Sequence, residues 1–176
     1  MKPVCLVLGA GAGIGGTVAT KFADEGYYSY LCRRSDKEGL ERLLDNIKKR
    51  GGEASGSLLN ATEDDVLEDL VLKIENDIGP IEVLIYNLGA QTGMKLLHQT
   101  TYKEFELGWR MASFGLFRIA KVLCPLMVDR GKGNIIVTSA TAAMRGNKTQ
   151  HSHAAAMGAR SCLLYTSDAA DDMFRV

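Results

Sequence analysis

The sequence predicts an α/β fold in which helices flank a doubly wound parallel sheet of about five strands. Two observations lead to this prediction. Short runs of apolar and β-forming residues alternate with segments of helical apolar spacing, and a glycine-rich turn joins the first run to the first helix. With 176 residues, 46% of them hydrophobic, the chain is long enough to bury one core.

The first strand and the turn after it are the most informative stretch. The apolar run that begins at Val4 ends in a series of alternate glycines: Gly9, Gly11, Gly13 and Gly15. Ile14, Val18 and Phe22 then have the spacing of one helix face. A strand, a glycine-rich turn and a helix N-terminus together form a binding site for a pyrophosphate. The alternative is an ordinary tight turn without a ligand.

The second strand is predicted over Tyr27 to Cys32, and Arg33 and Arg34 follow it directly. In nucleotide-binding folds an acidic side chain near this point takes the ribose hydroxyls, whereas an arginine accommodates a 2′-phosphate. Cys32 stands about where the acid would be, so the sequence favours NADP(H) over NAD(H). The alternative is that the two arginines are solvated surface charges.

The later elements continue the alternation of helices and strands. Gly51-Gly52 and Gly79-Pro80 end the next two helices. In order, the sequence predicts a helix through Leu40, Leu43, Leu44 and Ile47, a strand over Ala54 to Leu59, a helix through Val66, Leu67, Leu70, Val71 and Ile74, a strand over Ile81 to Tyr86, a helix from Tyr102 towards Val128, and a strand over Asn134 to Ser139.

The composition indicates which kinds of partner and which cellular compartment to expect. The formal net charge is zero, which gives no indication of binding to nucleic acid or to an anionic membrane. No apolar run is expected to span a bilayer. The four cysteines lack the spacing of a metal site, and the pair His151 and His153 has no carboxylate or cysteine beside it, so no metal is expected. A reduced, cytoplasmic setting is the simplest interpretation.

Three motifs resemble the short-chain dehydrogenase/reductase family: GAGAGIG at 9–15, Arg33 after the second strand, and Asn87-Leu88-Gly89 after the fourth. The resemblance extends from Lys2 to about Ser161. It implies a Rossmann-like sheet with strand order 3-2-1-4-5 and a nicotinamide dinucleotide as cofactor. It also implies these cofactor-binding positions: Gly9, Gly11, Gly13, Ile14, Gly15, Arg33, Asn60, Ala61, Asn87 and Gly89.

The family's catalytic residues do not carry over to this chain. In the register set by Met144-Arg145-Gly146, the family's tyrosine falls on His153 and its lysine falls on Met157. The family's serine falls on Ala140, beside Ser139, and its asparagine falls on Ala112, beside Ser113. A histidine can transfer a proton near neutral pH, so His153 and Ser139 are the remaining catalytic candidates.

The C-terminal segment departs from the family pattern. Residues 162–172, CLLYTSDAADD, resemble a translated sequencing-library adapter, and Thr166-Ser167-Asp168 favours caps and turns over a helix. The expected organisation is an incomplete nucleotide-binding domain over 1–161 and a non-native tail over 162–176. The family's C-terminal strands would then be missing.

Two classes of function remain open at this point. The first is an NADP-dependent oxidoreductase that acts on a carbonyl or alcohol of unknown structure. The second is a non-catalytic nucleotide-binding or scaffold protein on the same fold, or an inactive fragment. By the family resemblance, the full-length parent is expected to be a homo-oligomer.

Overall fold

The computed structural model describes residues 1–89, 91–92 and 94–174, with residues 165–174 described by their backbone alone. Five strands form one parallel sheet in the order β3-β2-β1-β4-β5, which confirms the predicted fold class. The strands are β1 (Val4–Leu8), β2 (Tyr28–Arg33), β3 (Glu53–Leu58), β4 (Ile81–Tyr86) and β5 (Asn134–Val137).

Each strand-to-strand connection within the sheet contains helix, as parallel pairing requires. The helices are α1 (Ile14–Asp24), α2 (Lys37–Lys49), α3 (Val66–Asp77), α4 (Tyr102–Trp109), α5 (Gly115–Asp129) and α6 (His151–Phe174). The single helix expected from Tyr102 is interrupted by a π-helical turn over Arg110–Phe114. A π turn accommodates one extra residue and is frequent at functional sites.

The chain divides into two compact units. Unit 1 comprises residues 1–88 and 118–138, and it contains the whole sheet. Unit 2 comprises residues 89–117 and 139–176. The predicted boundary between residues 161 and 162 is a different division, and it stays a prediction.

The core of unit 1 covers both faces of the sheet. Cys5 and Val7 point towards α1 and α2, and they pack with Ala19, Leu31 and Ile47. The alternate residues of β1, Leu6 and Leu8, point to the opposite face and are also fully buried. Burial on both faces explains why the central strands consist of continuous apolar runs.

The side of helix α1 that packs on the sheet carries small residues. Its buried positions are Gly15, Gly16, Ala19 and Ala23. Val18 and Phe22 pack against the core in part, whereas Ile14, which was predicted to share their face, is 62% exposed. Glycine and alanine let the helix backbone approach the sheet, and a larger side chain on that face would hold it away.

A partly buried ion pair joins α5 to α3 in unit 1. The Arg118 guanidinium donates to both carboxylate oxygens of Glu68, at 2.8 and 2.6 Å, and to the Glu63 carbonyl at 2.7 Å. The hydrogen bonds from Arg118 lower the pKa of the Glu68 carboxyl, against the opposing effect of burial. The charge is therefore retained where an unpaired carboxylate would be costly.

Unit 2 is held by contacts among α4, the π turn and α6. The Ser113 hydroxyl donates to the Ala156 carbonyl at 2.8 Å, and the Ser152 hydroxyl donates to the Glu104 carbonyl at 3.0 Å. The rings of Trp109 and Phe114 stack with centroids 4.9 Å apart. The two hydroxyl contacts join α6 to residues more than 40 positions earlier in the chain, so they hold the unit together rather than its individual helices.

Two features at the C-terminal side bear on the expectations from sequence. β5 lies at the edge of the described sheet, as predicted. The backbone of α6 continues as helix to Phe174, through the segment where caps and turns were expected. The origin of residues 162–176 stays a prediction.

One helical stretch, residues 102–129, is by length and composition long and apolar enough to cross a membrane. This corrects the expectation that no run has that length. Of its apolar window, 44% is buried inside the protein, and core helices meet the same criterion. The stretch therefore carries no assignment to a membrane.

We expect Arg118→Ala to lower the free energy of unfolding by about 3 kcal/mol, because it leaves the Glu68 carboxylate without its partner. Urea denaturation at neutral pH measures this loss. The pKa of Glu68 is lowered in the folded protein. The ion pair therefore stabilises the folded state fully at pH values above the ordinary glutamate pKa. The difference between variant and wild type should shrink as the pH falls through the lowered value.

The matched control is Arg42→Ala, which removes an exposed pair with Glu38, whose side chains are 72% and 87% exposed. The free energy of unfolding of this variant should stay within about 0.5 kcal/mol of the wild-type value. Equal losses in the two variants would contradict a special role for Arg118.

Candidate functional site

The turn between β1 and α1 is anchored to the two neighbouring strands. The N–H groups of Gly9 and Ala10 donate to the Cys32 carbonyl of β2, at 3.1 and 2.9 Å. On the other side, the Asn87 side-chain amide donates to the Gly9 carbonyl at 2.9 Å. The turn is therefore held at the carboxyl ends of three adjacent strands, where open α/β sheets bind their ligands.

Gly9 could not be replaced without strain. Its φ of +84° lies in the region that favours glycine, and a Cβ there would stand 2.5 Å from the Asn87 carbonyl oxygen. A Cβ on Gly16 would stand 2.5 Å from the Gly11 carbonyl oxygen, and one on Gly15 would collide with the Gly9 carbonyl. The inner side of the turn is thus packed backbone against backbone.

The outer side of the turn is open. A Cβ on Gly13 would meet nothing within 4 Å, and Ile14 is 62% exposed. Gly13 is the N-cap of α1 and adds no side-chain hydrogen bond to the helix N-terminus. The Gly16 N–H already donates to the Gly11 carbonyl at 2.8 Å, so the N–H groups before Gly16 and the positive end of the helix dipole are what this end offers to an anion. The turn therefore fits the pyrophosphate of a dinucleotide.

Arg33, the last residue of β2, brings a cation to the turn. Its guanidinium Nη2 lies 4.0 Å from where a Cβ on Gly11 would stand, and its side chain is 12% exposed. Nη1 donates to the Asp36 Oδ2 at 2.8 Å. Arg34, by contrast, is exposed. Of the two predicted arginines, it is Arg33 that the fold places against the glycines.

Cys32, which stands about where an acidic residue would be expected, is buried. Its side chain is 1% exposed, and its Sγ lies 4.0 Å from the Ser57 hydroxyl of β3. Burial raises the pKa of this thiol to about 12, although the hydrogen bond to Ser57 opposes the shift. The thiol is therefore a neutral core group, and only its main-chain carbonyl takes part in the turn.

Asn60 and Ala61 follow directly after Leu59, which is hydrogen-bonded to the end of β2. The Leu59 N–H donates to the Arg33 carbonyl at 2.8 Å, which fixes the start of this loop at the end of β2. The Asn60 Oδ1 accepts from the Thr62 hydroxyl at 2.9 Å and so closes a local turn. Ala61 is buried, and the Asn60 side chain is committed to its own loop.

The last two predicted cofactor positions behave differently. The Asn87 N–H donates to the Leu8 carbonyl at 2.9 Å while its side chain holds Gly9, so Asn87 secures the turn twice. Gly89 is exposed and belongs to unit 2, and a Cβ there would meet nothing within 4 Å. Steric packing among the described residues does not require a glycine at this position.

Unit 2 brings together three of the four positions on which the family's catalytic residues are predicted to fall. Ala112 and Met157 are buried in one apolar cluster with Ala156, and Ala140 packs against it. The cluster contains no group that can donate or accept a proton. Ser113, beside Ala112, has its hydroxyl committed to the Ala156 carbonyl, so it is not a substitute for the asparagine.

The two remaining catalytic candidates differ in their surroundings. Ser139 is exposed. His153 is half-buried, and its Nδ1 is shielded from solvent without a hydrogen-bond partner among the described residues. A shielded, unpartnered ring nitrogen is a group that a ligand or an ordered water can satisfy.

Three residues near these sites were missed by the sequence analysis: Asp36, Gly39 and Arg160. Arg160 is 1% exposed, and its Nη2 donates to the Met157 Sδ at 2.9 Å, so a cation does lie beside the methionine. Its place three residues further along α6 was the available signal. No group of three or more histidine, cysteine or acidic side chains that could hold a metal lies within the described part of the chain.

A sequence model of the short chain dehydrogenase family matches residues 3–171. A 3-oxoacyl-[acyl-carrier-protein] reductase from Thermotoga maritima is 29% identical over 152 residues, which are 86% of this chain and 61% of that protein. The chain therefore spans about three fifths of the length of that relative.

Two solved structures are similar over nearly the whole chain. The NAD⁺-bound xylitol dehydrogenase has a TM-score of 0.88 and 26% identity, covering 96% of this chain and 64% of that one. The actinorhodin polyketide ketoreductase variant with NADPH has a TM-score of 0.85 and 26% identity, covering 99% and 66% respectively. The two similar proteins thus hold different nicotinamide dinucleotides.

We expect Gly9→Ala to destabilise the protein more than Gly51→Ala, although both glycines have a φ of +84°. At Gly51 a Cβ meets nothing within 4 Å, so only the backbone strain of about 1 kcal/mol applies. At Gly9 the clash with Asn87 adds about 1–3 kcal/mol. Thermal and urea unfolding of both variants measure the difference, and equal losses would argue against the close approach.

Proposed function

Because this chain belongs to the short-chain dehydrogenase family, we propose that it binds a nicotinamide dinucleotide at the β1–α1 turn and prefers NADP(H) to NAD(H). The glycines of the turn and the N-terminus of α1 would hold the pyrophosphate. Asn60 and Ala61 would lie beside the adenine, and Asn87 would keep the turn in place.

The observation that carries the preference is the position of Arg33. Its guanidinium lies against Gly11 and its side chain is 12% exposed, so a phosphate on the adenosine ribose would meet a cation that is largely shielded from bulk water. A charge-assisted hydrogen bond is stronger in such a place than at an exposed site. A ribose hydroxyl gains much less from the same cation.

The reaction class that goes with this cofactor is oxidation or reduction of a carbonyl or alcohol, with the nicotinamide taking or giving the hydride. The proton would then be held by His153, whose ring has a solvent-shielded Nδ1, and Ser139 would orient the substrate oxygen. The substrate is a small molecule of unassigned structure.

A second candidate function is nucleotide binding without catalysis. The observation that favours it is the apolar cluster of Ala112, Ala140 and Met157, where the family's chemistry needs an amide, a hydroxyl and a cation. A measurement of carbonyl turnover with NADPH distinguishes the oxidoreductase from the non-catalytic nucleotide-binding protein. Both rest on the same nucleotide site in unit 1.

We also propose that the full-length parent associates with copies of itself and binds neither nucleic acid nor membrane. Three side chains on the α4–α5 stretch of unit 2 support it, since Phe105, Trp109 and Phe117 are 45%, 42% and 48% exposed. Exposed apolar groups of this size mark interaction surfaces. We propose a cytoplasmic location on the composition alone.

Arg33→Ala should weaken NADPH binding by about 10- to 100-fold and leave NADH binding nearly unchanged, because it removes charge-assisted hydrogen bonds to the 2′-phosphate alone. Isothermal titration of the protein with each nucleotide measures both constants. Arg34→Ala is the matched control, since Arg34 is the next residue in the chain and is exposed. Absence of saturable binding of either nucleotide to the folded protein would refute the proposed site.

If the protein is an oxidoreductase, His153→Ala should lower turnover of carbonyl substrates with NADPH by about 100-fold or more, since a positioned proton donor contributes that much. NADPH binding should stay unchanged, which separates a chemical role from a structural one. Zero turnover by wild-type protein that binds NADPH tightly would favour the non-catalytic candidate.

A further inference from the structure

Both carboxylate oxygens of Asp36 are engaged at the edge of the nucleotide site. Oδ1 accepts from the Gly39 N–H at 2.9 Å and so caps α2, while Oδ2 accepts from the Arg33 Nη1 at 2.8 Å. The Asp36 side chain is 57% exposed, whereas Arg33 is 12% exposed. The carboxylate thus covers one end of the guanidinium from the solvent side.

Gly39 makes this arrangement possible. A Cβ at that position would collide with both the Arg33 Nη1 and the Asp36 Oδ2, so the guanidinium lies where any other residue would place its side chain. Glycine within a helix is unfavourable relative to alanine. Its presence in the first turn of α2 is explained by the room that it leaves for Arg33.

The two ends of the guanidinium therefore have different neighbours. Nη2 faces the glycine turn near Gly11, while Nη1 is held by Asp36. A phosphate on the ribose would have to share Arg33 with a carboxylate of the same sign of charge. A ribose hydroxyl would instead meet in Asp36 a good hydrogen-bond acceptor.

We propose that Asp36 is a second determinant of cofactor choice, which limits the preference for NADP(H) by holding the Arg33 Nη1 and by placing a negative charge beside the 2′-phosphate. This inference rests on the proposed nucleotide site. It predicts that Arg33 and Asp36 act as an opposed pair, the first favouring NADP(H) and the second NAD(H).

The decisive variant is Asp36→Asn. Asparagine caps a helix as well as aspartate does, so the hydrogen bond from Gly39 is retained while the charge is lost. We expect NADPH to bind about two- to fivefold more tightly, as for release of a partly exposed ion pair, and NADH to bind equally or more weakly. Titration calorimetry of the full chain with each nucleotide gives the ratio of the two constants.

Three further variants make the test specific. Glu38→Gln removes one negative charge from the same turn of α2, where Glu38 pairs with Arg42 rather than Arg33, and it should leave the ratio within error of wild type. Asp36→Asn in an Arg33→Ala background should have a smaller effect than in the wild-type background. Gly39→Ala should displace the guanidinium and reduce the preference for NADPH towards that of Arg33→Ala, without a loss of helix content in circular dichroism.

The outcomes distinguish this inference from the proposed function. A ratio that rises in Asp36→Asn but not in Glu38→Gln supports the inference. A ratio that is unchanged or falls, in protein that binds NADPH in an Arg33-dependent manner, overturns the inference alone. Failure of the wild-type protein to bind either nucleotide overturns the proposed function and this inference with it.

Discussion

The contact between Asn87 and Gly9 is the constraint on which the nucleotide site depends. One hydrogen bond from the Asn87 side chain and one from its backbone tie the end of β4 to the end of β1. Gly9 and the backbone of Asn87 lie so close together that there is no room for a side chain at Gly9. The left-handed backbone conformation of Gly9 turns the chain towards α1.

Much of unit 1 could be predicted from the sequence because its signals are local. Apolar runs predict buried strands, and alternate glycines after such a run predict a close turn. The position of Ile14 could not be predicted, because helical spacing alone does not say whether large or small residues face the sheet. The Arg33–Asp36–Gly39 arrangement was also hidden, since it depends on a side-chain conformation and on the absence of one Cβ.

In unit 2 the alignment with the family's motifs predicted which positions would lie close together. It did not predict which side chains would be their neighbours. Ala112, Ala140 and Met157 are far apart in sequence, and the structure packs them in one cluster. The role of Arg160 could not be predicted because the position expected to carry a cation is Met157, and Arg160 lies three residues further along α6. A long side chain one helical turn away can place its charge at the same point, and sequence spacing alone does not show this.

The π turn at Arg110–Phe114 changes the sequence spacing at which side chains of the α4–α5 stretch share a face. Because one α-helical residue corresponds to about 100° of rotation, the extra residue changes which side chains before and after it share a face. Loss of a single codon between Trp109 and Phe114 would place these two residues four apart, which is the spacing of neighbours on one face of a regular α-helix. Their rings, which stack with centroids 4.9 Å apart across the π turn, would then still lie on one face. The wide turn thus absorbs one residue, and the side chains before and after it keep a common face.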